Sequence, residues 1–183
     1  MALIKLKDKV FKPYIPESRI LEAVDKVASE INRDYAGKEE IPIVLCVLNG
    51  AMVFTAELLK RLSFNCELMS IKLSSYVGTQ STGTVLNILG LTGDVRGRSV
   101  IITEDIVDTG NTIIALKEML LDKGVKDVRI CTMLMKPDVY KKDAKLDYVG
   151  MEIANAFIVG HGLDYDELGR NYPDIYIVDE TAE

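Results

Sequence analysis

No apolar run in this 183-residue sequence approaches the roughly 20 residues that a membrane helix requires. That excludes a chain threaded through a bilayer as helices. Positive charge is also scarce: 22 Lys and Arg stand against 28 Asp and Glu, giving a formal charge of -6 and a pI near 5.0. No broad basic surface is left to grip a nucleic-acid backbone, so nucleic-acid partners are excluded along with the membrane. Small anionic ligands are not, because a few backbone amides, cations or a bound metal can hold a phosphate whatever the net charge. Cysteine is limited to Cys46, Cys66 and Cys131, each inside an apolar stretch and none at metal-ligand spacing. They read as buried thiols in a reducing compartment. Met1 to Phe11 alternates Leu and Ile with Lys and Asp, and so lacks the continuous apolar core of a signal peptide. The expectation is a soluble cytoplasmic protein. Internal repeats, linkers and low-complexity segments are absent, as is the GxxxxGK[ST] spacing of a Walker loop.

What is present is enough for a sizeable core: 48% apolar residues in a length suited to one domain, taken as residues 1–183. Ser18 to Ala36 places Ile20, Leu21, Val24, Val27, Ala28 and Ile31 on one helical face, with Gly37 to end it. Ile43 to Leu48 is a short, fully apolar strand, followed by Asn49-Gly50 and a helical pattern from Met52 to Leu62. Cys66 to Tyr76 reads as a longer strand, Val77 to Gly83 as a mobile loop of small polar residues, and Thr84 to Leu89 as an antiparallel return. Ser99 to Thr103 is another buried strand, Glu104 to Gly110 an acidic loop, Asn111 to Lys123 a helix ended by Gly124, and Val128 to Met135 a strand. This alternation predicts an α/β fold with a mostly parallel central sheet flanked by helices. Tyr148 to Ile153, Phe157 to Val159 and Ile175 to Val178 are short and β-rich, suited to edge strands or a small lobe.

The most informative stretch is Val100 to Thr112, VIITEDIVDTGNT. In an open α/β sheet, ligands bind beyond the carboxyl ends of the strands, where a loop entering a helix offers unpaired N–H groups. Asp108 to Thr112 forms such a turn: Gly110 permits unusual dihedrals, the Thr hydroxyls can donate, and the helix dipole favours a phosphate. Glu104 and Asp105 are paired carboxylates that could hold hydrated magnesium or accept hydrogen bonds from sugar hydroxyls. A capped helix behind solvated turn residues is the alternative. Three carboxylates and a phosphate-type turn within nine residues, directly after a buried strand, favour a ligand site.

EDIVDTGNT closely resembles the phosphoribosyl pyrophosphate motif of type I phosphoribosyltransferases, and the likeness runs from Leu48 to Arg170, toward the bacterial hypoxanthine branch. The resemblance implies the type I phosphoribosyltransferase fold, with a small hood lobe built from N- and C-terminal segments. It implies transfer of a phosphoribosyl group to a 6-oxopurine, with Mg²⁺ as cofactor, in a homodimer or homotetramer. Glu104 and Asp105 would contact the ribose hydroxyls and magnesium, Asp108 would be the general base, and Thr109, Gly110, Asn111 and Thr112 would cradle the 5-phosphate. Lys136 would donate to the exocyclic oxygen of the purine. Phe157 would stack on the base, the Ile158 backbone would read its edge, and Asp164 would help hold a second magnesium. Leu48, Asn49 and Gly50 match the pyrophosphate loop and Arg170 a pyrophosphate-contacting Arg, although many relatives carry Lys or Arg in place of Asn49. Ser75 and Tyr76, with Gly78 to Gly83 behind them, resemble a flexible loop that closes over the reacting centre. His161, the single histidine, replaces a common Tyr and is given no catalytic role.

Overall fold

In the computed structural model, which describes residues 2–76, 85–91 and 93–181, the chain runs as β1 (Ile4–Leu6), β2 (Lys9–Ile15), α1 (Glu17–Tyr35), β3 (Ile43–Leu48), α2 (Met52–Leu59), β4 (Glu67–Tyr76) and β5 (Val85–Leu89). It continues with β6 (Ser99–Val107), α3 (Asn111–Asp122), β7 (Asp127–Met135), β8 (Tyr148–Glu152), β9 (Ile158–Val159) and β10 (Ile175–Val178). The apolar run of β3 can bury both of its faces only inside a covered sheet. It lies there, between β4 and β6, in a six-stranded sheet of order β5-β4-β3-β6-β7-β8. Five of these strands are parallel, and β5 pairs antiparallel with β4 at one edge. This is the predicted α/β architecture.

Strand alternation sends successive side chains to opposite faces. Ile101 and Cys131 pack with Val24, Val27 and Ile31 of α1 and Phe54 of α2, whereas Val100, Ile102 and Ile130 pack with Ile113, Leu116 and Leu120 of α3. Helices therefore cover both faces. The apolar positions expected for α1 are buried, apart from Leu21, which is half-buried. α2 stops at Leu59 rather than Leu62, because Arg61 N and Leu62 N donate to Leu58 O and Leu59 O in a tightened final turn.

A second sheet, of order β1-β2-β10-β9, joins the two ends of the chain into a hood. Leu6, Phe11, Val159 and Tyr176 form its own buried cluster. β8 is an edge strand of the main sheet, while β9 and β10 belong to the hood, so the short C-terminal strands divide between both expected places. The polar loop expected at Val77 to Gly83, and Thr84, lie outside the described residues. Ser75 and Tyr76 are described as backbone only, at the end of β4 opposite Leu86 and Val85. Among the described residues, no helix is long and apolar enough to cross a membrane.

Candidate active site

The acidic pair is not in a loop. β6 continues through Val107, pairing Ile106 with Leu134 and Val107 with Met135, so Glu104 and Asp105 are strand residues. The ladder to β7 satisfies the backbone there, which a composition-based reading of two adjacent acids does not anticipate. Burial, then the neighbouring Asp105 charge, pushes the Glu104 carboxyl well above the usual carboxylate range. Burial raises Asp105 as well, against the pull of Glu104, the Ile106 amide, its own amide and Arg170. Ile106 N donates to Asp105 Oδ1 at 2.8 Å. Just below, the buried hydroxyls of Thr103 and Thr55 meet at 2.7 Å, tying β6 to α2.

After Val107 the chain turns through Asp108 and Thr109 into Gly110, whose φ of +78° is the left-handed region that suits glycine. α3 begins at Asn111; Asn111 N lies 3.5 Å from Thr109 Oγ1, and Ile114 N donates to Gly110 O. The turn lines a cavity of about 200 Å³ bounded by Glu104, Asp108, Thr109, Asn111 and Thr112. Lys136, at the end of β7, is 7% exposed; its amide donates to Val107 O and its Nζ sits 2.8 Å from Asp108 Oδ1. Lys136 and Asp108, two of the residues expected at the purine, are thus in contact.

A third strand end brings in the Leu48 to Gly50 loop. The Leu48–Asn49 peptide is cis, and Met52 N donates to Asn49 O at 3.3 Å. Gly50 has no room for a side chain: a Cβ there would overlap Asp105 Oδ2 and lie 2.6 Å from Asp105 Cγ. Gly162 presses on the same loop from the hood, since a Cβ on it would overlap the Gly50 carbonyl oxygen. Arg170 Nη1 donates to Gly162 O, and its Nη2 meets Asp164 Oδ1, both at 2.7 Å. Asp164 Oδ2 accepts from Glu167 N, so both of its oxygens have protein partners.

The hood supplies the remaining wall. Phe157 is 45% exposed, with Phe11 behind it at 6.1 Å and Tyr165 edge-on at 5.6 Å between ring centroids. It precedes the two-residue strand β9 rather than opening it. Val178 N donates to Phe157 O, so the alternation of an antiparallel ladder turns the Ile158 amide and carbonyl away from β10, toward the free edge of the hood. His161 is 2% exposed, with Nδ1 3.1 Å from Pro173 O; burial lowers its pKa.

The phosphoribosyl transferase domain family matches residues 16–166. The chain belongs to that family. It is 37% identical over 178 residues to the hypoxanthine-guanine phosphoribosyltransferase of Streptococcus pneumoniae strain R6, covering 97% of this chain and 98% of the relative. The Lactococcus lactis protein of the same name is 39% identical over 174 residues, covering 94% and 93%. Among solved structures, a hypoxanthine-guanine phosphoribosyltransferase from Bacillus anthracis superposes with a TM-score of 0.82 at 34% identity, covering 92% of this chain and 98% of that one.

The phosphoribosyl transferase fold thus gathers most of the predicted residues at the carboxyl ends of β3, β6 and β7 and the facing hood loops. Glu104 and Asp105 suit a hard divalent cation: they present oxygen ligands, and desolvation holds their pKa values up despite the pull of Arg170 on Asp105. Gly162 and Phe11 were given no role from the sequence. Their partners, Gly50 and Phe157, are more than a hundred residues away from Gly162 and Phe11, so no local spacing marks them.

Proposed function

We propose that this chain is a cytoplasmic, magnesium-dependent purine salvage enzyme that moves the 5-phosphoribosyl group of phosphoribosyl pyrophosphate to N9 of hypoxanthine or guanine, giving IMP or GMP and pyrophosphate. The observation that carries this reading is the convergence of the Glu104–Asp105 carboxylate pair, a phosphate-type turn and the Lys136–Asp108 pair at the carboxyl ends of the central strands. In this reading Thr109 to Thr112 bind the 5-phosphate through amides and hydroxyls at the start of α3. Glu104 and Asp105 accept hydrogen bonds from the ribose hydroxyls and would hold the metal. When bound, magnesium supplies positive charge that offsets both the carboxylate pair and the leaving pyrophosphate.

Lys136 has three donors, of which Asp108 engages one, leaving others for the purine 6-oxygen. The Ile158 carbonyl accepts N1–H and Phe157 stacks on the ring. Asp108 takes the purine proton as N9 attacks the anomeric carbon. Arg170 spends two of its five N–H groups on Gly162 and Asp164, so the rest, with the amides of the Leu48 to Gly50 loop, can receive pyrophosphate. Catalysis on this plan is positional and electrostatic. The test offers hypoxanthine, guanine, xanthine and adenine with phosphoribosyl pyrophosphate and Mg²⁺ and measures pyrophosphate release. Release with 6-oxopurines, none with adenine, and loss in chelator with recovery on adding Mg²⁺ are expected. No release with any 6-oxopurine, or full turnover without metal, would overturn the reading.

A further inference from the structure

The segment that follows Lys136 returns to the phosphate turn a second time. Lys136 O accepts from both Val139 N and Tyr140 N, which folds residues 136–140 into a tight turn. At one end of that turn Lys136 Nζ meets Asp108. At the other end the Tyr140 ring lies flush against Gly110, so that a Cβ on Gly110 would overlap ring carbon Cε2 and lie 2.9 Å from Cδ2. The ring itself is fixed at both ends. Its body packs against the apolar cluster that includes Ile113 and Leu116 of α3, and its hydroxyl donates to Ala144 O across the loop. Two short turns, 108–110 and 136–140, are therefore clamped together at two points.

The geometry points to Tyr140 as a positioning residue for the 5-phosphate: its ring is a floor that keeps Gly110 in the left-handed conformation from which the Thr109 to Thr112 amides converge. Tyr140 acts through Gly110, and no direct contact with ligand is required of it. Gly110 gains freedom from lacking a side chain, and that freedom has to be restrained if the turn is to be preorganised. An adjacent rigid ring supplies the restraint at little entropic cost, since Tyr has only two side-chain torsions. The inference rests on the functional reading above and deepens it, because it assigns a source of phosphate affinity that lies outside the motif. Its reach is specific. The ring touches Gly110, inside the turn assigned to the 5-phosphate, so a nucleotide should feel its loss and a nucleoside should not.

The experiment compares IMP with inosine, which differ only in the 5-phosphate, as inhibitors of the wild-type, Tyr140→Ala and Tyr140→Phe enzymes. Loss of the ring is expected to weaken IMP by about tenfold or more, the order of one charge-assisted hydrogen bond lost from the phosphate. Inosine should hold within about twofold, and KM should rise for phosphoribosyl pyrophosphate but not for hypoxanthine. Tyr140→Phe keeps the ring and should stay near wild type. Unchanged IMP inhibition in Tyr140→Ala would overturn the proposal, and so would an equal loss for IMP and inosine, which marks general loosening. If the wild-type enzyme is not inhibited by IMP at all, the functional reading falls first and takes the proposal with it.

Discussion

Gly50→Ala asks how tightly the pyrophosphate loop is packed on the acidic pair. The new Cβ would overlap Asp105 Oδ2 and approach Cγ to 2.6 Å, far inside contact distance. Asp105 cannot simply swing aside, because its Oδ1 accepts the Ile106 amide at 2.8 Å. Either that bond breaks or the loop moves. Overpacking of this kind costs about 1–3 kcal/mol, and for a chain of this length each kcal/mol lowers Tm by about 2–4 °C. A fall of about 2 to 12 °C is therefore expected in a thermal scan. Activity should suffer on one side only. Displacing Asp105 removes a charge-assisted hydrogen bond worth about 1.5–3 kcal/mol, which at about 1.4 kcal/mol per decade is roughly a 10- to 150-fold loss in kcat/KM for phosphoribosyl pyrophosphate. KM for hypoxanthine should not change. Asp105→Ala opens the space, so in that background the added methyl should cost almost no stability, and the double-mutant cycle should show strong coupling. Wild-type Tm and kcat/KM in Gly50→Ala, or an equal penalty in both backgrounds, would refute the packing argument.

Asp108→Asn should keep phosphoribosyl pyrophosphate binding and slow the single-turnover rate by about 10² to 10⁴, and a wild-type rate would remove Asp108 from the role of base. Lys136→Met preserves length without donors and should lower kcat/KM for hypoxanthine by roughly 10- to 100-fold, with little gain for adenine, because the Ile158 carbonyl still lacks a donor from that base; undiminished hypoxanthine activity would dismiss Lys136 as the base reader. His161 should make stability depend on pH. Burial holds its pKa below the usual 6.5, so between 6.5 and the lower folded value the unfolded chain binds the proton and the native state does not. Its contribution to stability is present above pH 6.5 and lost as pH falls through that window. His161→Asn, which tolerates the φ of +48°, should flatten this part of a Tm-against-pH curve; an identical slope in both proteins would place the titration elsewhere.

How much of this was readable in the sequence varied with the range of the interactions involved. β3 and β10 run over the residues their apolar stretches suggest, since four to six consecutive apolar side chains leave little ambiguity. The turn into α3 was equally plain, because Asp108 to Thr112 form it with their own backbone. Glu104 and Asp105 were identified but placed in a loop; only the pairing with β7 makes that stretch a strand. β1 and β2 were not resolved as strands beyond their alternation: they pair locally with each other, but the sheet that fixes them is completed by β10, some 160 residues along the chain. The Gly50–Gly162 and Gly110–Tyr140 contacts were illegible for the same reason.

The hood sheet also dictates an order of assembly. β10 lies between β2 and β9, so the first hairpin to leave a ribosome cannot complete its sheet until residues 175–178 have emerged. The main sheet needs nothing beyond Glu152. A chain still short of β10 would already hold the carboxylate pair, the phosphate turn and Lys136, but β9, and with it the Ile158 edge beside Phe157, would have no strand to lie on. Synthesis proceeds from the N-terminus at about 5–20 residues per second, so the carboxylate pair, the turn before α3 and Lys136 stand on their strands roughly one to five seconds before the Phe157 and Ile158 wall can form.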